Sequence, residues 1–363
     1  MRLSTNVLVI GAGPAGATAA KVLSKNGRDV VLLERNLAFV KPCGGGLSIN
    51  AFDEFGIPEN IIQTEVKVIR LISPAGQKVD ISLKGSNLAI IGRGEFDREL
   101  RRQAQGCGAN LIEAECVNVS RNKRYKVEAI SGTDRYEITA EHIIAADGVN
   151  SRMRTALGIK PVRAFFTMSE KIQGMSADCC EFWFGASHAP LSYSWVFPWT
   201  QGISVGTGGY EQGRIQSLFE RFRERKGIQT EGEKRVYRIP VWTGDLYNKS
   251  KILFTGDSAG QVLPLTYEGI YYAMKAGEFA ARAIIENKVD NYKKMWRSKF
   301  QKRFMLMNAL RDYFLKDDAS AERLVALHGR PEIREAALRI WTMKGGGKSN
   351  LMSYIRFFGK LAR

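Results

Sequence analysis

Short apolar runs alternate with glycine-rich turns at the start of the chain. Thr5–Ile10 is a run of mostly aliphatic residues, and Asp29–Glu34 is a second one that ends in an acidic residue. The segment between them, up to about Lys25, has the pattern of a helix that follows a turn. Two apolar strands separated by a helix predict a βαβ unit with parallel strands.

Antiparallel strands are predicted in the next part of the chain. Val66–Ser73 and Gln77–Leu83 predict a hairpin, with a helix to follow at 94–106. Three further runs predict a meander at Glu113–Val119, Tyr125–Ala129 and Arg135–Thr139.

In the second half of the chain, the sequence pattern predicts two strands that join the same sheet as the first βαβ unit. Buried strands are predicted at His142–Ala146 and Lys251–Thr255, and the region 163–241 between them is dense in aromatic strand residues, with one charged helix at 214–226. A long helix is predicted from Gly269, and the chain after Asp290 is helical and basic. One α/β sheet is therefore assembled from distant segments, with a strand region inserted between them.

The composition is that of a globular chain with a strong positive charge. Hydrophobic residues make up 44% of the 363 positions and charged residues 25%. No run reaches the roughly 18 apolar residues of a membrane-spanning helix, and the signal-like start Met1–Ala20 is better explained by a strand and a glycine turn. The net charge of +17 would attract nucleic acid, anionic lipid or a phosphorylated substrate, and no nucleic-acid-binding motif accompanies it.

Cysteine and histidine usage argues against metal and triad chemistry. The five cysteines have no paired metal spacing, and the three histidines have no ligand partner at a suitable distance in the sequence. We therefore expect no metal site. The odd number of cysteines favours a reducing, cytoplasmic compartment.

A glycine pattern between the first strand and the first helix predicts a dinucleotide site. Gly11, Gly13 and Gly16 form a G-x-G-x-x-G sequence, and Glu34 follows 18 residues after the last glycine. Gly11 allows a tight turn, Gly13 lets backbone amides approach a pyrophosphate, and Gly16 lets helix and strand pack closely. The helix N-terminus then binds the pyrophosphate, and Glu34 accepts the ribose hydroxyls. The alternative is a glycine-rich turn that binds nothing.

Two later strand ends favour FAD over a nicotinamide dinucleotide. IIAADGVNSR delivers Asp147 and Gly148 after a buried strand, and ILFTGDSAGQVLPLTYEGI delivers Gly256 and Asp257 before a helix that starts at Gly269. A second acid can hold ribityl or ribose hydroxyls, and a helix start can stabilise the negative charge on a reduced flavin.

Together with Arg93 and Asp97 in RGEFDREL, these segments resemble the FAD-dependent oxidoreductases of the para-hydroxybenzoate hydroxylase superfamily. The resemblance implies an α/β fold, in which a Rossmann-like FAD-binding domain carries an inserted antiparallel β-sheet substrate domain and a helical C-terminal region. The predicted boundaries are 1–65, 93–162 and 251–290 for FAD binding, 66–92 and 163–250 for the substrate sheet, and 291–363 for the basic helical region. No second G-x-G-x-x-G follows a strand, so the electron donor, NAD(P)H or a reduced ferredoxin, must dock from outside. The candidate cofactor-binding residues are Gly11, Gly13, Pro14, Ala15, Gly16, Glu34, Arg35, Cys43, Gly44, Gly45, Arg93, Asp147, Gly148, Gly256, Asp257, Gly269 and Ile270.

Two further motifs resemble the geranylgeranyl reductase family. KPCGGG at 41–46 is similar to that family's PCGGG-like loop, and P-x-x-Y-x-W-x-F-P at 190–198 is similar to its aromatic motif. The resemblance covers most of residues 1–290. It implies a flavin-dependent reductase that saturates carbon–carbon double bonds of a polyprenyl chain on a lipid or a prenyl diphosphate. GDSAGQVLPLTYEGIYYAM at 256–274 is also similar to that family's third flavin motif, except that Tyr267 stands where many members have glycine before the Glu-Gly pair.

The aromatic motif has two interpretations. Tyr193, Trp195, Phe197 and Trp199 have the same parity on a strand and so share one face. Rings on one face can line a slot for a hydrocarbon chain, although aromatic stripes more often form the core between a sheet and its helices. The family resemblance favours the slot and orients this face toward the flavin, with Trp183, Tyr193, Trp195 and Phe197 as substrate-binding candidates.

Reduction of a double bond needs a proton to match the hydride, and three side chains are candidates for its source: Cys43, Tyr193 and Tyr267. Cys43 could instead be a buried small hydrophobe or a reactive thiol near the flavin.

The C-terminal region is basic and amphipathic. Residues 293–303 are rich in lysine and arginine, Gly345–Gly347 predicts a hinge, and residues 349–363 mix apolar and basic side chains. The region could contact an anionic membrane from the cytoplasmic side, or it could pack as an ordinary helix with a solvated basic face.

Two other functions are compatible with the scaffold. One is an FAD-dependent monooxygenase or halogenase of the same superfamily; halogenases carry Trp-x-Trp-x-Ile-Pro where this chain has YSWVFP at 193–198. The other is a flavin-bearing lipid carrier without catalysis. The expected partners are a prenyl lipid substrate, an electron-donor protein and an anionic membrane, with no nucleic acid.

Overall fold

The described part of the chain falls into two compact units. The computed structural model describes residues 1–85, 87–244 and 246–342. Unit 1 comprises Met1–Val40, Gly94–Ala164 and Ile239–Lys302, and unit 2 comprises Lys41–Arg93, Phe165–Arg238 and the residues from Arg303 onward. The predicted hinge at Gly345–Gly347 and the predicted amphipathic tail at 349–363 lie outside the described residues.

Strands and helices alternate along most of the chain. The strands are β1 (Arg2–Ile10), β2 (Val30–Glu34), β3 (Gly46–Ser48), β4 (Ile62–Val66), β5 (Val68–Ile72), β6 (Lys78–Ser82), β7 (Leu88–Ile91), β8 (Asn110–Glu113), β9 (Glu115–Arg121), β10 (Tyr125–Ser131), β11 (Asp134–Ala145), β12 (Ala164–Gln173), β13 (Cys180–Trp183), β14 (Ser194–Trp199), β15 (Gly202–Gly209), β16 (Glu233–Pro240), β17 (Asn248–Lys249) and β18 (Ile252–Phe254). The helices are α1 (Pro14–Lys25), α2 (Asn50–Phe55), α3 (Arg93–Gly106), α4 (Arg152–Ala156), α5 (Ile215–Lys226), α6 (Ile270–Ile285), α7 (Asn291–Trp296), α8 (Lys302–Phe314), α9 (Asp318–His328) and α10 (Pro331–Thr342).

Unit 1 is built on a sheet whose central strands are parallel. Its order is β17-β18-β11-β1-β2-β8, with β10 and β9 continuing from β11. Val7–Val9 and Val30–Leu33 are almost completely buried, as expected of strands covered on both faces. Ile10 pairs with Leu33 of β2 and with Ala145 of β11, so the carboxyl ends of three strands meet at one edge. The predicted βαβ unit and α/β fold are confirmed.

The predicted strands at Arg135–Thr139 and His142–Ala146 are one strand, β11. Its first part pairs antiparallel with β10, where Tyr125 lies opposite Ala140. Its last part pairs parallel with β18, where Ile143 lies opposite Ile252. No glycine or proline separates the two parts, so nothing in the backbone forces a turn there.

Unit 2 contains a larger sheet of order β16-β12-β15-β14-β13-β5-β6 and a smaller one of order β3-β7-β4. The predicted hairpin at 66–83 is present as the antiparallel pair β5 and β6. Helix α5 covers one face of the larger sheet, where Phe219 and Phe222 pack with Val196 and Val205. The side chains of β14 with the opposite parity therefore point away from this core.

The segment 41–65, predicted to be part of the FAD-binding domain, belongs to unit 2. The reason is strand pairing: β3 and β4 both pair antiparallel with β7, within the smaller sheet. The predicted C-terminal region is also divided, because 291–302 belongs to unit 1 and the chain from Arg303 to unit 2.

Candidate active site

Three glycines shape the turn between β1 and α1: two of them are tightly packed, and the third has free space beside its Cα. Gly11 has φ +96°, and a Cβ there would lie 2.4 Å from the carbonyl oxygen of Ala146. A Cβ on Gly16 would lie 1.8 Å from the carbonyl oxygen of Gly11. A Cβ on Gly13 would meet nothing within 4 Å. Only glycine fits the first two positions, and the third leaves space beside the α1 N-terminus, which begins with Pro14.

Glu34 holds this turn from the end of β2. Its Oε2 accepts a hydrogen bond from the backbone N–H of Ala12 at 2.8 Å, and its Oε1 accepts a longer one from Asn36 N–H at 3.3 Å. Each carboxylate oxygen can accept a second bond, so the ribose role predicted for Glu34 is compatible with its position. Arg35, which follows, is exposed.

Asp147 presents an unpaired acceptor after β11. Its Oδ2 accepts a hydrogen bond from Met153 N–H at 2.9 Å, whereas its Oδ1 is buried with no hydrogen-bond partner. Burial raises the pKa of the Asp147 carboxyl above its usual range, and the bond from Met153 opposes that shift. The next residue, Gly148, has φ +79° and open space at its Cβ position. A buried carboxylate oxygen without a donor fits a ligand that brings hydroxyl groups.

A third turn follows β18 and leads toward α6. Gly256 has φ +63°, and its Cβ would lie 3.2 Å from the Cβ atoms of both Ala15 and Ala273. Asp257 lies near the start of α6, because its Oδ1 would be 3.7 Å from a Cβ on Gly269. Ile270 is the first residue of that helix and is buried.

These three turns fit FAD. The open Cβ positions at Gly13 and Gly148 leave room for phosphate and sugar beside backbone amides, and the Asp147 Oδ1 lacks a donor that a hydroxyl would supply. The residues of unit 1 that would hold FAD are Gly11, Gly13, Pro14, Ala15, Gly16, Glu34, Asp147, Gly148, Gly256, Asp257, Gly269 and Ile270.

Of the other predicted cofactor residues, Arg35 belongs to unit 1, and Cys43, Gly44, Gly45 and Arg93 belong to unit 2. Cys43, Gly44 and Gly45 precede β3, and Arg93 starts α3 with 7% of its surface exposed. The observed contacts of the two glycines are with strands: a Cβ on Gly45 would lie 2.4 Å from the carbonyl oxygen of Ile91 in β7. Their role toward the cofactor stays a prediction.

The PCGGG-like loop and the aromatic motif come together within unit 2. A Cβ on Gly44 would lie 2.8 Å from the ring of Phe197 and 3.5 Å from the indole nitrogen of Trp195. A Cβ on Gly46 would lie 3.4 Å from the same phenyl ring. The consecutive glycines thus give the loop a surface flat enough to lie against two rings.

Tyr193, Trp195, Phe197 and Trp199, here called the aromatic face, point away from the α5 core. Phe197 is covered by the loop and is 9% exposed, whereas the other three are half-buried. Trp195 lies over Gly206 of β15, where a Cβ would be 2.2 Å from the indole. Gly206 therefore provides the space for the largest ring of the motif.

Trp183 is not part of this face. In the pairing of β13 with β14, Phe182 lies opposite Trp195 and Trp183 opposite Ser194. Trp183 accordingly packs on Phe222 of α5, with ring centres 6.0 Å apart, on the opposite face of the sheet from the other three substrate-binding candidates. Its role toward the substrate stays a prediction. Phe182 takes the place next to the aromatic face, with its ring centre 5.0 Å from that of Tyr193 and 5.4 Å from that of Phe197.

Comparison with known proteins places the chain in a family. A family model described as an FAD binding domain matches residues 4–286. The digeranylgeranylglycerophospholipid reductase of Methanocaldococcus jannaschii is 30% identical in an alignment that covers 89% of this chain and 89% of that protein. The chain belongs to the geranylgeranyl reductase family. FAD is its cofactor.

Other members and neighbours agree with this assignment. The geranylgeranyl diphosphate reductase of Rhodobacter capsulatus is 28% identical over 89% of this chain and 87% of its own length. Among solved structures, a geranylgeranyl bacteriochlorophyll reductase-like protein from Thermoplasma acidophilum has a TM-score of 0.86 at 22% identity, over 98% of this chain and 96% of the other. A flavin-dependent brominase has a TM-score of 0.77 at 16% identity over 98% and 99%, so the two share a fold.

Tyr267 stands where many members of the family have glycine, and its backbone conformation is one that favours glycine. Tyr267 has φ +53°, and Leu265 two residues earlier has φ +74°. Two hydrogen bonds hold this conformation: Tyr267 N–H donates to Leu263 O at 3.0 Å, and Leu263 N–H donates to Glu268 O at 2.9 Å. A non-glycine residue in the left-handed region costs roughly 1 kcal/mol, so Tyr267 occupies this position although its backbone conformation favours glycine.

A buried polar chain lies behind the aromatic face, and no sequence motif predicts it. Ser194 Oγ donates to Thr207 Oγ1 at 2.8 Å, Thr207 Oγ1 donates to His188 O at 2.6 Å, and His188 Nδ1 lies 2.8 Å from Ser194 Oγ. Burial lowers the pKa of His188 to about 4, so the ring is neutral at physiological pH and donates from Nδ1 to Ser194. These hydrogen bonds fix the start of β14 at Ser194, between Tyr193 and Trp195.

The described ranges contain neither a membrane span nor a metal cluster. No helix within them is both long and apolar enough to cross a bilayer. Among the same residues, no group of three or more His, Cys, Asp or Glu side chains is arranged to hold a metal ion.

Proposed function

We propose that this protein uses FAD to saturate carbon–carbon double bonds in a polyprenyl chain carried by a lipid or a diphosphate. The observation that carries the proposal is the aromatic face, on which Tyr193 and Trp195 stay half-buried although Phe197 is covered by the glycine loop. Relatives named for geranylgeranyl diphosphate and for digeranylgeranylglycerophospholipid support the same substrate class.

The residues of unit 1 bind and orient the cofactor. The backbone N–H groups of Gly13, Ala15 and Gly16 form the positive end of α1 for the pyrophosphate, because Pro14 has no N–H to donate. The carboxylates of Glu34, Asp147 and Asp257 accept sugar and ribityl hydroxyls. When bound and reduced, FAD supplies a hydride. The N-terminus of α6, which follows Gly269, favours negative charge on a group that lies next to it.

The residues of unit 2 bind the hydrocarbon. Burial of about ten CH₂ equivalents against the rings of the aromatic face would contribute roughly 8 kcal/mol before association costs. At the far end of this face, the Lys171 ammonium lies 4.8 Å from the ring centre of Trp199 and is exposed. A cation there suits a chain whose polar end carries phosphate.

Three side chains are proposed sources of the proton. The Sγ of Cys43 accepts a hydrogen bond from Gly45 N–H at 3.3 Å, which holds the thiol beside the loop that covers Phe197. The phenol of Tyr193 lies at the edge of the aromatic face, and the phenol of Tyr267 is fixed by its strained turn in unit 1. Tyr193→Phe and Tyr267→Phe remove only the hydroxyl, so a drop in turnover without loss of FAD would identify the donor.

Mass spectrometry of the product tests the proposed function. Holoenzyme reduced with dithionite under anaerobic conditions should convert geranylgeranyl diphosphate into products heavier by pairs of hydrogens. A product that forms only with dioxygen and gains oxygen mass would assign the monooxygenase alternative instead. Flavin-bound protein that leaves every prenyl substrate unchanged would favour the non-catalytic carrier.

The electron donor and the membrane are proposed partners. A donor, NAD(P)H or a reduced ferredoxin, would have to reduce FAD from solution, which anaerobic flavin bleaching with each donor would measure. We place the protein on the cytoplasmic face of an anionic membrane, because Lys293, Lys294 and Arg297 of the α7 segment are exposed while Tyr292 and Trp296 are buried. Co-sedimentation with anionic but not neutral vesicles would support this contact.

A further inference from the structure

A buried chain of hydrogen bonds connects α7 to the turn that carries Asp257. Tyr292 OH donates to Phe254 O at 2.8 Å, Gln261 Nε2 donates to Tyr292 OH at 2.7 Å, and the backbone N–H of Gly256 donates to Gln261 Oε1 at 2.8 Å. Gln261 is 2% exposed and Tyr292 0%. The phenol therefore acts as both donor and acceptor in a dry environment, where its burial also raises its pKa.

The amide that ends this chain belongs to a constrained glycine. Gly256 has φ +63°, and a Cβ there would lie 3.2 Å from the Cβ atoms of Ala15 in α1 and Ala273 in α6, closer than side chains normally pack. Its N–H points to the side chain of Gln261 while its carbonyl accepts from Gln261 N–H at 3.0 Å. One glutamine thus fixes the peptide groups on both sides of Gly256, and Asp257 follows directly.

We propose that Gln261 and Tyr292 are positioning residues of the flavin site. They bond to the backbone of the turn at Phe254 and Gly256, and they set the direction in which Asp257 presents its carboxylate. Tyr292 lies on α7, outside all three flavin-binding segments, so the affinity for FAD depends on a helix that carries no cofactor residue. This inference rests on FAD binding and not on the proposed substrate.

Tyr292→Phe tests the proposal, with Tyr125→Phe as a matched control. Tyr125 is 4% exposed, and its OH accepts from Lys251 N–H at 3.3 Å, at the other end of β18. Both variants lose one buried tyrosine hydroxyl bonded to the same strand region. FAD release is measured on diluted holoenzyme by the rise in flavin fluorescence, together with thermal stability.

The expected result is that Tyr292→Phe weakens FAD binding about three- to tenfold, the range of one neutral hydrogen bond, while Tyr125→Phe leaves it unchanged at a similar loss of stability. Equal FAD affinity in Tyr292→Phe and wild type, or equal weakening in both variants, would overturn the proposal. If Tyr292→Phe does not fold, Gln261→Met, which keeps the length but removes both side-chain bonds, replaces it with the same two outcomes. Prenyl reduction is not part of the readout, so failure of the proposed function would leave this result interpretable.

Discussion

The two helices that flank the flavin turns approach each other at a glycine. A Cβ on Gly277 of α6 would lie 2.1 Å from the carbonyl oxygen of Ala15 in α1. Such an approach brings α6 against α1, and Gly256, whose Cβ would lie 3.2 Å from that of Ala15, comes next to the same helix. Close helix packing at a small residue is thus a condition for the cofactor site, at a position outside the G-x-G-x-x-G pattern.

Asp147 is buried with one carboxylate oxygen unpaired, so its substitution should change protein stability and FAD affinity in different directions. Its pKa is raised by burial, so its ionised form is disfavoured in the folded protein, and stability is lost as the pH rises from the unfolded value, about 3.9, through the folded one. Asp147→Asn should therefore be at least as stable as wild type at pH 7, with an advantage that shrinks toward pH 4. It should also bind FAD roughly tenfold or more weakly, because a charged acceptor is lost.

Asp134→Asn, at the exposed start of the same strand, is the control for Asp147→Asn. Thermal unfolding at several pH values and FAD content after purification measure both effects. An Asp147→Asn variant that keeps wild-type FAD affinity would remove Asp147 from the cofactor site.

At the scale of elements, the larger sheet of unit 2 separates a structural face from the aromatic face. Trp183 packs on α5 with its indole N–H donating to Glu181 at 2.8 Å, and Lys226 pairs with the same carboxylate at 2.8 Å. Trp195, on the other face, has a buried indole nitrogen with no partner. Two tryptophans on paired strands are thus available for a direct comparison.

Trp195→Ala and Trp183→Ala should differ in what they damage. Removing a large buried ring costs roughly 3–5 kcal/mol when the ring is only core. We expect Trp183→Ala to lose mainly stability, and Trp195→Ala to lose prenyl reduction out of proportion to stability, because the chain is no longer held in its reacting geometry. Melting temperature, FAD content and turnover are measured for both. A Trp195→Ala variant with full activity and a lowered melting temperature would assign that ring to the core.

Much of this division could be predicted from the sequence. The alternation in 193–199 predicts the aromatic face, and the same rule applied to 182–184 puts Phe182 and Phe184, and not Trp183, on one face. The continuity of β11 could not be predicted in this way, because its two halves pair with different neighbours and the exposed Glu141 between them resembles a strand boundary. Pairing partners are a tertiary property that local periodicity does not record.

At the scale of the whole molecule, sequence motifs identify the three flavin turns but not the residues that support them. Gly11, Asp147 and Asp257 follow strand ends in recognisable patterns, whereas Gln261 and Tyr292 meet only after α6 has returned the chain to β18. Gly206 is alike in this respect, because no motif marks it although it makes the space for the indole of Trp195. Contacts of this kind depend on packing between elements and carry no local signature.

Transfer of a hydride from reduced FAD to a prenyl double bond is the step on which the proposed function depends. The most direct measurement is the visible flavin absorbance of anaerobically reduced holoenzyme after mixing with geranylgeranyl diphosphate. We expect the oxidised flavin spectrum to return on adding this substrate, with one flavin oxidised per double bond reduced, and not to return with the fully saturated analogue. Reoxidation that occurs only when dioxygen is admitted, with the prenyl compound unchanged, would contradict it.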